Sequence, residues 1–214
     1  MKRDRKWGGI RNDGEPDQQP LTLNINSDTE NEKEPSCVEV VKNRIYFYSD
    51  IDRAQILQLN RKLREVSNEL LFESQQQDRD PASIFLHINS YGGSVFAGLS
   101  AMDEILGCKI PVTTIVDGCC ASAGTFLSVA GKKRIMRPNA FLLIHQISSG
   151  MWGKFRELED DHLNNQKLME KIKEIYTKYT KIPAKELNQI LDHDIWFDAK
   201  TCLKYGIIDE IRQM

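Results

Sequence analysis

Ser83-Ile-Phe-Leu-His-Ile-Asn89, followed by Gly92-Gly93 and an apolar run from Ser94 to Leu106, reads as a buried strand, a tight turn and a helix. The same order returns downstream. Pro111 opens a second strand, Val112 to Val116, which ends at Gly118, and a small-residue helix begins near Ser122 and runs to about Ala130. Two further strands, Arg134 to Met136 and Ala140 to Ile144, are separated by the turn residues Pro138-Asn139. Strand–helix alternation of this kind predicts an α/β fold assembled from crossover units.

Outward from this centre the pattern changes. Val38, Val40, Ile45, Phe47 and Tyr48 predict a strand pair around Lys42-Asn43. From Asp52 to Phe72, Ile56, Leu59, Leu63, Val66 and Leu70 keep a three-four spacing that puts them on one helical face, with Asp50 or Asp52 as the cap. Glu73 to Asp80, with Gln75, Gln76 and Gln77 at its centre, reads as a polar loop. Phe155, Leu158, Leu168, Met169, Ile172, Ile175 and Tyr179 mark a long helix with a polar middle from Glu159 to Gln166. Residues 1–36 are rich in Asp, Glu, Asn, Gln, Pro and Gly, too polar to offset their ordering entropy, and are expected to form a disordered tail before a folded domain over 37–214.

Composition excludes several classes. The net charge of -2, from 29 basic and 31 acidic side chains, provides no general attraction for nucleic acid. The five cysteines form no CxxC pair and no metal-ligand spacing with the four histidines, so reduced thiols in an intracellular compartment are expected, with no metal. The N-terminus has no apolar signal region and the longest apolar runs are far short of a membrane span. There is no G-x-G-x-x-G and no G-x-x-x-x-G-K-[ST], so no nucleotide cofactor is expected.

Three constellations carry chemistry. Gly92-Gly93 lies between a strand and a helix, where exposed amides can stabilise an anion, although a tight turn alone would explain it. Ser122, in Gly118-Cys-Cys-Ala-Ser-Ala-Gly124, has small neighbours and helix-start N–H groups beside it, although a serine there is ordinarily a cap. This is not the G-x-S-x-G elbow, because Cys120 replaces the first glycine. A serine hydroxyl needs a base, and His145, at the end of Phe141-Leu-Leu-Ile144, is one of four histidines to be weighed with His87, His162 and His193. Asp192 and Asp194 are equally suited by local chemistry to orient an imidazole, whereas Asp198 before Ala199-Lys-Thr-Cys202 looks like a helix cap.

Taken together, Ile88-Asn-Ser-Tyr-Gly-Gly-Ser-Val95, Ala121-Ser-Ala-Gly124, Leu143-Ile-His-Gln146 and Tyr205-Gly-Ile-Ile-Asp209 resemble, in order and spacing, the proteolytic subunit of Clp protease (ClpP). The resemblance runs from about Arg44 to Ile211. It implies a ClpP/crotonase-like spiral of ββα units with a protruding helix–strand handle. It also implies a serine endopeptidase with Ser122 as nucleophile, His145 as base and Asp194 as acid, and the amides of Gly93 and Ala123 as oxyanion hole. Gln146, Ile147 and Ser148 fall in the strand that pairs with substrate backbone and, continuing to Trp152, helps to build the handle. The implied partners are further copies of the chain in a heptameric ring or stacked tetradecamer, a Clp-type AAA+ ATPase, and peptides or unfolded polypeptides in a cytoplasmic setting.

The chain departs from the family pattern in places. Ala123 stands where methionine is usual, and Tyr91 replaces the proline of S-P-G-G. Ile147-Ser-Ser-Gly150 lacks the usual proline and double glycine, and His193 and Ile195 flank Asp194 where an arginine is usual. The alternatives are a non-catalytic ClpP-like subunit of a mixed ring, a specialised phage-type maturation peptidase, and crotonase-type acyl-CoA chemistry.

Overall fold

In the computed structural model, residues 37–213 are described; the tail expected over residues 1–36 lies outside them. Strand β1 (Val38–Val41) turns at Lys42, whose φ is 57°, into the antiparallel strand β2 (Arg44–Tyr48). Ile45 and Phe47 alternate inward and are fully buried, as the period of two requires. Helix α1 (Arg53–Gln76) comes next, with the Asp52 carboxylate accepting the Gln55 N–H at 2.8 Å. Its buried stripe of Ile56, Leu59, Leu63 and Val66 is the face expected from the spacing.

The polar loop expected from Glu73 is helical through Gln76. Glu and Gln are good helix formers. Ser74 is moreover buried, with its hydroxyl bonded back to the Leu71 carbonyl at 2.8 Å. The chain leaves the helix at Asp78, which adopts a positive φ of 45°.

Strand β3 (Ile84–Ser90), helix α2 (Val95–Leu106), strand β4 (Val112–Ala121), helix α3 (Gly124–Val129) and strand β5 (Lys133–Met136) form the expected crossover series. Strands β2, β3, β4 and β5 lie side by side and parallel, and the central β3 and the first half of β4 are buried on both faces, which fits their near-continuous apolar runs. Strand β4 does not stop at Gly118. Its first half pairs with β5, the chain kinks where Gly118 takes φ 79°, and Cys119–Ala121 then pair with β6 (Phe141–Leu143). Helix α4 (Phe155–Tyr179) is the long helix foreseen, followed by α5 (Ala184–Leu191), β7 (Trp196–Asp198), α6 (Ala199–Lys204) and β8 (Glu210–Ile211). Among the described residues, no helix is long and apolar enough to cross a membrane.

Under the β2–β3–β4 sheet sits a charged cluster that sequence patterning did not separate from the core. Asp117 accepts from His87 Nδ1 at 2.6 Å, Arg137 Nε at 2.6 Å and the Tyr48 hydroxyl at 2.9 Å. Arg44 donates to His87 Nε2 at 3.0 Å, and Tyr46 stacks on the imidazole. Burial pushes the Asp117 carboxyl up, but its three hydrogen bonds outweigh that and hold it below the usual carboxylate value. Burial and the facing carboxylate push the Tyr48 phenol up to about 12.

Candidate active site

The sheet topology gathers the site. Parallel strands β3, β4 and β6 end together, and Gly92-Gly93, Ser122 and His145 lie just beyond their C-terminal ends. Strand β7 runs antiparallel to β6, with Trp196 opposite Leu143, so it starts where β6 ends. Asp194, two residues before β7, is thereby carried to the same edge.

Ser122 does not begin a helix. Its φ is 53°, a left-handed conformation that costs a non-glycine residue roughly 1–2 kcal/mol, and α3 starts only at Gly124. Hydrogen bonds impose this turn. The Ser122 N–H donates to the Leu143 carbonyl at 2.9 Å. The Ser122 carbonyl accepts from the Thr125 N–H at 3.0 Å and from its hydroxyl at 2.6 Å. With its proton committed there, the Thr125 hydroxyl accepts from the buried Tyr176 hydroxyl at 2.6 Å. Burial pushes the Tyr176 phenol up, so it stays a neutral donor. Neither Thr125 nor Tyr176 was foreseen, although Tyr176 lies one helical turn from Ile172 on the apolar stripe of α4.

Of the four histidines, His145 is the one that lines a cavity with Ser122. Its Nδ1 lies 3.1 Å from Asp194 Oδ1, with the imidazole side chain 20% exposed and the carboxylate 76% exposed. His87 is committed to Asp117 and Arg44, and His162 lies on α4 against Gln166. The three aspartates that local chemistry offered are placed differently. Asp192 ends α5, Asp198 caps α6 by accepting the Thr201 N–H at 2.8 Å, and Asp194 faces His145.

Ser122, Ala123, His145, Gln146, Ile147, Ser148 and Gly93 share the wall of one cavity of about 230 Å³. His145 and Asp194 are within ion-pair distance of each other, and Ser122 and His145 share the cavity wall. Tyr91, Val95, Phe126, Ile172 and Tyr176 complete the lining. Gly93 takes φ 142°, and a Cβ there would stand 2.4 Å from the Ile51 carbonyl oxygen; a Cβ on Gly92 would meet the Ser122 Cβ at 2.6 Å. Only glycines let these backbones approach so closely. The Ile51 carbonyl takes its hydrogen bond from Ser94, and among the described residues the Gly93 and Ala123 N–H groups have no protein acceptor.

Residues 144–154 form no strand in the single chain, so the segment expected to pair with substrate over Gln146–Trp152 has no ladder partner there. A strand needs a ladder partner, and this stretch is instead tied by Gln146 N–H on the Leu191 carbonyl, Ile147 N–H on the Met169 sulfur and, at its end, Lys154 N–H on the Glu157 carboxylate. Among the described residues no His, Cys, Asp and Glu cluster is arranged to hold a metal ion.

A parallel-centred α/β sheet with a cavity at its strand ends leaves the chemistry open, and the relatives give the class, a serine-type endopeptidase. The Clp protease family model matches residues 39–214. The chain is 36% identical over 148 residues to the ATP-dependent Clp protease proteolytic subunit of Deinococcus radiodurans, covering 68% of this chain and 71% of that one. It is 38% identical over 148 residues to the subunit of the same name from Streptococcus mutans, covering 67% and 74%. A solved structure of a ClpP1 variant from Listeria monocytogenes matches with a TM-score of 0.70 at 24% identity, over 81% of this chain and 92% of that one, a likeness of fold. The chain belongs to the Clp protease family.

Proposed function

We propose that the chain hydrolyses peptide bonds through an acyl-enzyme, with Ser122, His145 and Asp194 as its triad. The observation that carries this reading is the convergence, on one cavity, of a serine held at positive φ, a histidine within 3.1 Å of a carboxylate, and two amides without a protein acceptor among the described residues. Ser122 Oγ attacks the scissile carbonyl while His145 Nε2 takes the hydroxyl proton, and Asp194 holds the opposite nitrogen as donor. The Gly93 and Ala123 N–H groups receive the developing oxyanion. The carbon–nitrogen bond then breaks as His145 returns the proton to the leaving amine. Water, deprotonated by the same imidazole, releases the acid and restores the serine.

Substrate backbone pairs with Gln146, Ile147 and Ser148, for which the unpartnered stretch after β6 is suited. The Ile147 N–H rests on a thioether, a weak acceptor that a peptide carbonyl displaces. Self-association into a ring encloses the site; Trp152, Phe155, Leu158 and Leu163 are exposed apolar side chains on and before α4, available for that contact. Folded substrates then require an unfolding partner, in keeping with the ATP-dependent role in the relatives' names. A cytoplasmic setting belongs to the same reading.

A fluorophosphonate probe is expected to label the wild-type chain at Ser122 and leave Ser122→Ala unlabelled, with native mass measurement reporting the ring. An assembled sample without Ser122-dependent labelling would sink the proposal. The acid is tested separately. Asp194→Asn is expected to lower kcat by about 10³-fold or more, less than a buried triad acid because water reaches this carboxylate, whereas Asp192→Asn stays within about twofold. Equal losses in the two variants would overturn the choice of Asp194.

A further inference from the structure

Tyr91 stands directly before Gly92-Gly93 and lines the cavity with Ser122, yet it is 72% exposed. Trp196 lies two residues after Asp194 and is 39% exposed. The two rings meet edge to face, 6.4 Å apart at 89°. Each is fixed to the reacting groups by backbone. Tyr91 is joined to the oxyanion glycines, and Trp196 is paired with Leu143, whose carbonyl holds the Ser122 N–H. Phe141 lies on the same face of β6 as Leu143 and is also exposed, diagonal to Trp196 in the β6–β7 register. Cys119, paired with Phe141 and approached by the Tyr91 side chain, continues this face onto β4. Three aromatic side chains from three separate segments thus leave their surfaces in water beside a reacting serine.

The placement assigns a side. The cavity continues into a groove of about 680 Å³ between the start of α2, residues 147–149 and α4, and the two share Gly93, Val95, Ile147 and Ser148. Two backbone-lined walls suit the acyl part of an extended peptide. Tyr91 borders the cavity but not the groove, and Trp196, which does not line the groove either, is carried to the strand-end edge opposite Leu143, two residues before His145, and follows Asp194 by two residues.

Resting on the peptidase reading, we propose that the Tyr91–Trp196 pair is a specificity site for the leaving side. It takes a large apolar or aromatic side chain from the residue just after the cleaved bond. The exposed carboxylates of Asp194 and Asp198 at the ends of this face disfavour Asp or Glu there.

Acyl transfer reads this side alone. An acyl-enzyme formed on the assembled protein from a peptide thioester is partitioned between water and added phenylalaninamide, glycinamide, glutamic acid amide or lysinamide. Phenylalaninamide is expected to be captured about tenfold more efficiently than glycinamide, with the glutamic acid amide weakest, since one ring contact is worth about threefold to tenfold. In Tyr91→Ala, and in Trp196→Leu, the Phe-to-Gly ratio falls to about twofold or less, while Tyr91→Phe keeps it. Taken within each variant, the ratio cancels any change in overall rate or folding. A wild-type ratio near one, a ratio untouched in Tyr91→Ala, or a preference for lysinamide over phenylalaninamide overturns the site. Ser122 labelling in the same sample shows that the peptidase reading still stands; no labelling and no acyl-enzyme defeats both.

Discussion

Replacing Ser122 by alanine is expected to lower kcat for peptide hydrolysis by about 10⁴–10⁶-fold, and His145→Ala by a similar factor. The hydroxyl at its ordinary pKa is a poor nucleophile, and an imidazole without a hydroxyl to deprotonate performs no chemistry, so the two act as one unit. The double variant is therefore expected to be no worse than either single one. In the proposed mechanism the residual rate belongs to the Gly93 and Ala123 amides, both of whose residues line the cavity. Ser122→Gly separates chemistry from backbone strain. It loses the same catalytic factor, yet gains about 1 kcal/mol of stability, because glycine accepts φ 53° without a Cβ clash. Steady-state kinetics on a fluorogenic peptide and urea titration check both halves. Hydrolysis by Ser122→Ala within tenfold of wild type would remove the serine from the mechanism.

The second large effect is one of stability. Asp117→Ala is expected to cost about 3–5 kcal/mol, lowering Tm by about 10 °C. The carboxylate is the common acceptor for His87, Arg137 and Tyr48, and its side chain is nearly buried. Without it the buried His87 imidazole N–H loses its acceptor inside the fold, and Arg137 loses one of its interactions. The pH dependence has a definite sign. Because the folded state holds this carboxyl below its ordinary value of 3.8, its contribution is fully present above that value and is lost as pH falls through the lower, folded pKa. Wild-type stability should drop on acidification below about pH 4, and Asp117→Ala should show a shallower acid limb. Equal stability of the two proteins at pH 7 by urea titration would refute this account of the cluster.

How much was legible in the sequence differs by element. The crossover series was legible because Ile84–Ser90 and Val112–Val116 are apolar runs bounded by glycine and proline, while α1 and α4 keep a helical period. The end of α1 was misplaced since glutamines look like loop residues when polarity is read alone; propensity and the buried Ser74 kept them helical. The kink that prolongs β4 past Gly118 depends on β6 being beside it, a partner 20 or more residues away.

The proposed triad shows the same division. Ser122 and His145 sit in motifs that resemblance can match, but local chemistry left Asp192 and Asp194 equal. Their difference is one of direction, set by the antiparallel start of β7 against the end of β6. Thr125 and Tyr176, which hold the serine's turn, join residues 51 positions apart and have no local signature. His87 looked like a spare histidine within a strand, and its ties to Asp117 and Arg44 exist only because β2, β3 and β4 lie side by side.

By itself, then, the order of residues determined which segments are strands and helices and which side chains have the right chemistry, because periodicity and turn residues act over a few positions. Tertiary structure decided which of those side chains meet. Parallel strands bring their ends to a common edge, and an antiparallel partner delivers its first residues there, so Asp194 and the Tyr91–Trp196 pair gain their places from long-range pairing that no local pattern encodes.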